Sequence, residues 1–144
     1  MAMREFHHPS TRFAAILACV FSIEFALLAV APIDRPTWAL ENMLVVPAAA
    51  LLIATYRRFP LSRVSYACIF LFLALHEVGC HFTYSLVPYD ALVERVIGSG
   101  LNEVLGWERN HFDRVVHLSY GLLLAYPIRE IFLRIADVRG FWGY

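Results

Sequence analysis

"VSYACIFLFLALHEVGCHFTY", residues 64–84, is long enough to cross a hydrocarbon core, which takes about 20 residues at helical rise. Its last third carries His76, Glu77, Cys80 and His81. An ionisable side chain facing lipid costs at least about 2.5–3.5 kcal/mol, so these groups should face the inside of a bundle or a wet cavity. At about 100° per residue, His76, Glu77, Cys80, His81 and Tyr84 fall within roughly 140° of one helix face. The segment reads as a membrane helix with one polar side.

Three further stretches have the same length and character: 13–32, 38–56 and 113–133. The expected fold is therefore all-α: a polytopic membrane bundle of about four transmembrane helices in a single domain over 1–144. Composition agrees. The chain is 60% hydrophobic and 17% charged, against about 45–50% and 25% for a soluble domain. Twelve basic residues balance twelve acidic ones, which leaves no field to recruit nucleic acid. The expected partners are the lipid bilayer and a second copy or another membrane subunit. Cys19, Cys68 and Cys80 are odd in number and unpatterned, which argues against a disulfide framework or a zinc ribbon.

The first stretch ends in Ala29-Val30-Ala31, resembling a signal-peptide cleavage site. Pro32 directly behind it hinders cleavage, and the apolar run exceeds the roughly 7–15 residues of a signal peptide. A retained helix is expected. "IDRPT" (33–37) reads as a tight turn, and Trp38 as an interfacial residue opening the second helix. Pro47 is tolerable inside that helix if neighbours satisfy the freed carbonyl.

Every basic residue is arginine, and the distribution sets an orientation. Eight (Arg4, Arg12, Arg57, Arg58, Arg63, Arg129, Arg134, Arg139) fall on one side and four (Arg35, Arg95, Arg109, Arg114) on the other. The positive-inside rule then puts both termini in the cytoplasm of a bacterial inner membrane, with residues 85–112 outside. That connection is too long for a plain turn. Its apolar residues recur at helical spacing around "GSG" (98–100), so one or two short amphipathic helices on the outer surface are expected. Arg129, Glu130, Arg134 and Asp137 at the end of the fourth helix read as a solvated cytoplasmic turn with helical pairing, and His7 and His8 as exposed.

The fourth span repeats the polar pattern in "NHFDRVVHLSYGLLLAYP": Asp113, His117 and Tyr120 share a face, with His111 just before the helix. With the N-terminus inside, the end of the third helix and the start of the fourth lie at the same depth, together with Glu41 and Asn42. Glu24 sits halfway along the first helix. Imidazole and carboxylate in one pocket suit a divalent transition metal such as zinc. His76, His81, Asp113 and His117 are the candidate ligands, and Glu77 and Asp113 the candidate catalytic groups, Glu77 as base on bound water. Glu41, Cys80, Tyr84, His111 and Tyr120 complete the pocket. The HExxxH spacing at 76–81 is one residue longer than a zincin helix and sets its histidines about 140° apart. Two other chemistries stay open: metal-free acid–base work by Asp113 and His117, and a hydrogen-bonded network that only fixes helix packing.

"HEVGCHFTYSLVPY" followed by "ERNHFDRVVHLSYGLLLAYPIRE" resembles the YjdF-like family of bacterial inner-membrane proteins of unknown function. The resemblance implies a polytopic inner-membrane protein without an assigned activity. It also implies further hydrophobic segments beyond "GFWGY" (140–144), so that this chain is a short member or lacks C-terminal helices that complete the pocket. Asp113, Arg114 and His117 show a weaker similarity to VanZ-like membrane proteins. Three functions are compatible with these readings: a metal-assisted hydrolase or transferase acting on lipid-linked substrates, an ion- or proton-binding transporter subunit, and a structural or assembly protein. The absence of an evident inverted repeat counts against a self-contained transporter.

Overall fold

The computed structural model describes residues 11–136. Arg4, His7, His8, Asp137, Arg139 and the "GFWGY" end lie outside the described residues. Within them all regular structure is helical: α1 (Thr11–Leu28), α2 (Arg35–Thr55), α3 (Arg63–His81), α4 (Tyr89–Ile97), α5 (Leu101–Leu105) and α6 (Phe112–Ala136). Helices α1, α2 and α3 are each long and apolar enough to cross a membrane. The 25-residue α6 carries Asp113 and Arg114 at its start and Arg129, Glu130 and Arg134 towards its end.

The α1–α2 connection covers residues 29–34, earlier in the chain than the turn expected at 33–37. Helix α1 stops at Leu28 rather than near Pro32, because its terminal carbonyls find partners outside the helix. The Arg35 guanidinium donates to the Ala29 carbonyl at 2.9 Å and the His81 ring to the Leu28 carbonyl at 2.8 Å. Helix α2 begins at Arg35, three residues before Trp38. Asp34 is its N-cap, accepting from the Thr37 N–H at 2.9 Å. Pro36 thus lies in the first helical turn, where a missing N–H costs nothing, rather than in a turn between helices. Trp38 packs on Phe25 with ring centroids 5.6 Å apart, joining α2 to α1.

Helix α3 is the hub, packed most extensively against α6, then α1, and least against α2. Its N-terminal end meets the C-terminal end of α6 through Ser62, Ser65 and Glu130. Its C-terminal end meets the α1–α2 turn, where the Ile33 N–H donates to the His81 carbonyl at 3.0 Å. So α6 runs antiparallel to α3. The ends of α1 and α3 and the starts of α2 and α6 gather at one end of the bundle.

Two short helices, α4 and α5, fill the 85–112 connection on either side of "GSG", as the apolar spacing anticipates. Gly98 closes α4 with φ of 81°, a conformation that a side chain would strain. The segment is tied by its own polar groups. Tyr89 donates to Asn102 Oδ1 at 2.7 Å and accepts from the His111 N–H at 3.0 Å. Asp90 accepts from the Asn102 N–H at 2.7 Å, and Asn110 donates to the Val87 carbonyl at 2.8 Å.

Candidate functional site

Glu41 on α2 and His76 and Cys80 on α3 each present a ligand atom, and these atoms lie within 4.8 Å of one another. His76 and Cys80 are four residues apart, on one face of the helix, with His76 Nε2 3.3 Å from the Cys80 sulfur. Carboxylate, imidazole and thiol are all zinc ligands, and three protein ligands leave the fourth position of a tetrahedron open. Bonds of about 2.0–2.3 Å separate tetrahedral ligand atoms by roughly 3.3–3.8 Å, so the trio needs only a small inward adjustment to hold such an ion.

Tyr84 closes the site from above. The backbone at Thr83 and Tyr84 is left-handed (φ 53° and 57°), ending α3 at His81 rather than at residue 84. The chain folds back, and the Tyr84 N–H donates to the Gly79 carbonyl at 2.7 Å. Two successive non-glycine residues in that region cost of order 1–3 kcal/mol each. What holds them is the tyrosine itself. Its hydroxyl is 2.8 Å from His76 Nδ1 and 3.6 Å from the Cys80 sulfur. A β-carbon on Gly79 would run into the tyrosine ring, so the fold-back needs glycine there. With Nδ1–H donating to the phenol oxygen, His76 turns the Nε2 lone pair toward Cys80 and Glu41. That orientation is how a second shell fixes a metal-binding histidine.

The remaining candidates are dispersed. His81 is bound to the Leu28 carbonyl and stacks edge-on with Phe82, facing α1. His117 is exposed, and its Nδ1–H donates to the Asp113 backbone carbonyl at 2.7 Å rather than to the carboxylate. The Asp113 carboxylate faces Arg109 at 3.5 Å. The imidazole–carboxylate pair suggested by the i,i+4 spacing is therefore not formed, because the backbone carbonyl one turn back is the nearer acceptor. Tyr120 packs edge-on against Phe72, whose other neighbour is His76, and so reaches the site only through that ring. His111 stacks on Trp107 at 4.5 Å in the connection before α6. Desolvation, with the guanidiniums of Arg114 and Arg109, lowers its pKa below the ordinary histidine value. Glu77 is wholly buried beside Asn42 and within electrostatic reach of Glu24.

Glu130 departs from the sequence reading. It lies towards the end of α6 and pairs with Arg134 four residues on, as expected, but it is 2% exposed rather than solvated. Its carboxylate accepts from the Ser62 N–H at 2.9 Å, from the Ser65 hydroxyl, and from Arg134 at 3.1 Å. Arg134 also donates to the Pro60 carbonyl at 2.6 Å and covers the Phe59 ring at 3.9 Å. A signal was present: an acid inside the apolar run "PIREIF", with a Ser-x-x-Ser helix start elsewhere in the chain.

Three helices long and apolar enough to cross a membrane, with many large apolar side chains on their outer surfaces, fit a multi-pass membrane protein. The chain belongs to the DUF2238 family of predicted membrane proteins, whose family model matches residues 13–144. It is 38% identical over 107 residues to inner membrane protein YjdF of Escherichia coli (strain K12). That alignment covers 74% of this chain and 47% of the relative, so the chain spans about half the length of the curated relative it matches. No solved structure matches.

Proposed function

We propose that the protein crosses the bacterial inner membrane four times, through α1, α2, α3 and α6, with both termini cytoplasmic and α4–α5 lying as amphipathic helices on the outer face. The antiparallel packing of α6 on α3 and the arginine distribution support this topology. In this reading Glu41, His76 and Cys80 hold a divalent transition metal, zinc in the first instance, near the outer end of the bundle. The carrying observation is the convergence of a carboxylate, an imidazole and a thiol from two helices within 4.8 Å.

The open position would take water or a polar substrate group, which a bound zinc ion activates as a Lewis acid. The depth suits hydrolysis or group transfer on a lipid-linked substrate. Tyr84 would orient His76 and keeps its hydroxyl 3.6 Å from the Cys80 sulfur. A packing role is favoured instead for His81, His117 and Glu130, each of which is bound to backbone of its own or a neighbouring helix.

Elemental analysis of the detergent-purified protein tests the site. Near-stoichiometric zinc, iron or manganese is expected, lost in His76→Ala and Cys80→Ser and kept in His81→Ala and His117→Ala. A folded wild type without metal overturns the reading.

A further inference from the structure

Val20, Ile23, Glu24 and Leu27 follow one another on α1 at i, i+3, i+4 and i+7, so they form one stripe of that helix. Val20, Ile23 and Leu27 are exposed, and Glu24 is half-buried. With Leu28 and with Val78 of α3 they line a groove of about 320 Å³. Small-molecule sites run from roughly 300 to 1,000 Å³ and gather several polar groups. This groove lies at the lower end of that range and offers one carboxyl among five apolar side chains, so it suits a row of apolar side chains better than a soluble ligand.

Glu24 is the exception in that lining. It makes no ion pair or hydrogen bond among the described residues. Arg12, Arg35 and Arg63 lie in the first turns of α1, α2 and α3, and none of them pairs with it. Glu77 of α3, within electrostatic reach, is a second acid and offers no counter-charge. The carboxyl thus opens onto the outer side of a helix long and apolar enough to cross a membrane. An acid facing hydrocarbon is costly and calls for another polar group. Acyl chains have none to give.

A second copy has one, and the bilayer dictates where. Copies inserted with the same orientation are related by an axis along the membrane normal, so each residue meets its own counterpart at equal depth. A carboxyl in an apolar setting is cheapest uncharged. In that form it carries one O–H donor and a carbonyl acceptor. Two such groups face to face satisfy each other completely, each hydroxyl donating to the opposite carbonyl. Val20 lies one turn before the acid and Leu27 one turn after it, which sets a single polar residue inside an apolar seam, the arrangement that fixes register between paired helices.

We propose that the protein forms a parallel two-fold dimer through α1, the Val20–Leu27 stripe of each copy seated against the other and Glu24 hydrogen-bonded to Glu24 of the partner subunit. The dimer rests on α1 crossing the membrane, and on neither the Glu41–His76–Cys80 group nor the number of spans.

The test is Förster transfer between full chains labelled at the N-terminus with donor or acceptor, in phosphatidylcholine vesicles over a range of protein-to-lipid ratios. Alkaline extraction of the same vesicles checks insertion separately. Wild type should dimerise. Glu24→Leu should dissociate about 5–30-fold more readily, the equivalent of roughly 1–2 kcal/mol for polar contact between helices in lipid, with unchanged helical circular dichroism. Glu24→Gln should keep the dimer, because two carboxamides are also self-complementary. With Cys19 and Cys68 replaced by serine, Leu27→Cys should cross-link to its copy on oxidation. Ser22→Cys, on the opposite face of α1, should not. Inserted wild type that stays monomeric would overturn the proposal. A dimer as strong in Glu24→Leu as in wild type, or one cross-linked through position 22 and not 27, would overturn it by placing the interface elsewhere. Equal weakening in Glu24→Gln and Glu24→Leu would overturn the paired hydrogen bonds.

Discussion

The Glu130 carboxylate of α6 accepts the Ser62 backbone N–H at 2.9 and 3.1 Å, and so caps the N-terminal end of α3 from another helix. The position is electrostatically favourable twice over. A carboxylate gains from the exposed N–H groups and the positive end of a helix dipole, and Arg134 neutralises it from the other side. Residues 57–62 are drawn into the same knot through the Pro60 carbonyl and the Phe59 ring. Glu130→Ala removes the buried anion paired with Arg134 and the acceptor of the Ser62 N–H and the Ser65 hydroxyl. We expect a loss of about 3–5 kcal/mol, with Ser65→Ala costing about 1.5–3 kcal/mol through one charge-assisted bond. Denaturant or thermal unfolding in detergent measures both.

Gly79→Ala should destabilise by about 1–3 kcal/mol, the usual cost of forcing an atom into a filled space. The space is filled by the Tyr84 ring, so the effect should vanish when Tyr84→Ala is already present. A double-mutant cycle on unfolding free energies reads that coupling. Additive losses would show that the tyrosine does not lie over Gly79.

Removing the Asp34 cap should cost about 1 kcal/mol, with Asp34→Asn nearly neutral because the amide oxygen can still accept from Thr37. The comparison of the two variants by thermal unfolding isolates the cap from the charge.

His81→Ala should lose about 0.5–1.5 kcal/mol, the net value of one ordinary hydrogen bond, here to the Leu28 carbonyl. Any metal carried by the wild type should be retained, since His81 faces α1 and not the Glu41–His76–Cys80 group. Unfolding and elemental analysis on one preparation check both halves.

Much of the architecture was legible because it rests on length and periodicity. The apolar runs marked α1, α2 and α3, which are long and apolar enough to cross a membrane, and the 25-residue α6, and the spacing of Leu92, Val93, Val96 and Ile97 marked α4. Boundaries were less legible, because they depend on partners distant in the chain: α1 stops where Arg35 and His81 take its carbonyls, and α3 where Tyr84 turns back. At the candidate site, the sequence singled out the polar face of α3 and named Glu41, His76, Cys80 and Tyr84. It could not sort them from His81, Asp113 and His117, since spacing along a helix says which residues share a face and not which neighbour that face meets.

What the sequence determined by itself was the class of molecule, because the cost of placing polar groups in lipid is paid residue by residue and depends on no contact. It likewise determined that α3 must turn one side away from lipid. Only the tertiary structure decided the pairings, because these are set by the rotation of each helix against α3. That rotation puts Glu41 with His76 and Cys80, sets the Asn42 amide beside the buried Glu77 carboxylate, and seats Glu130 on the start of α3.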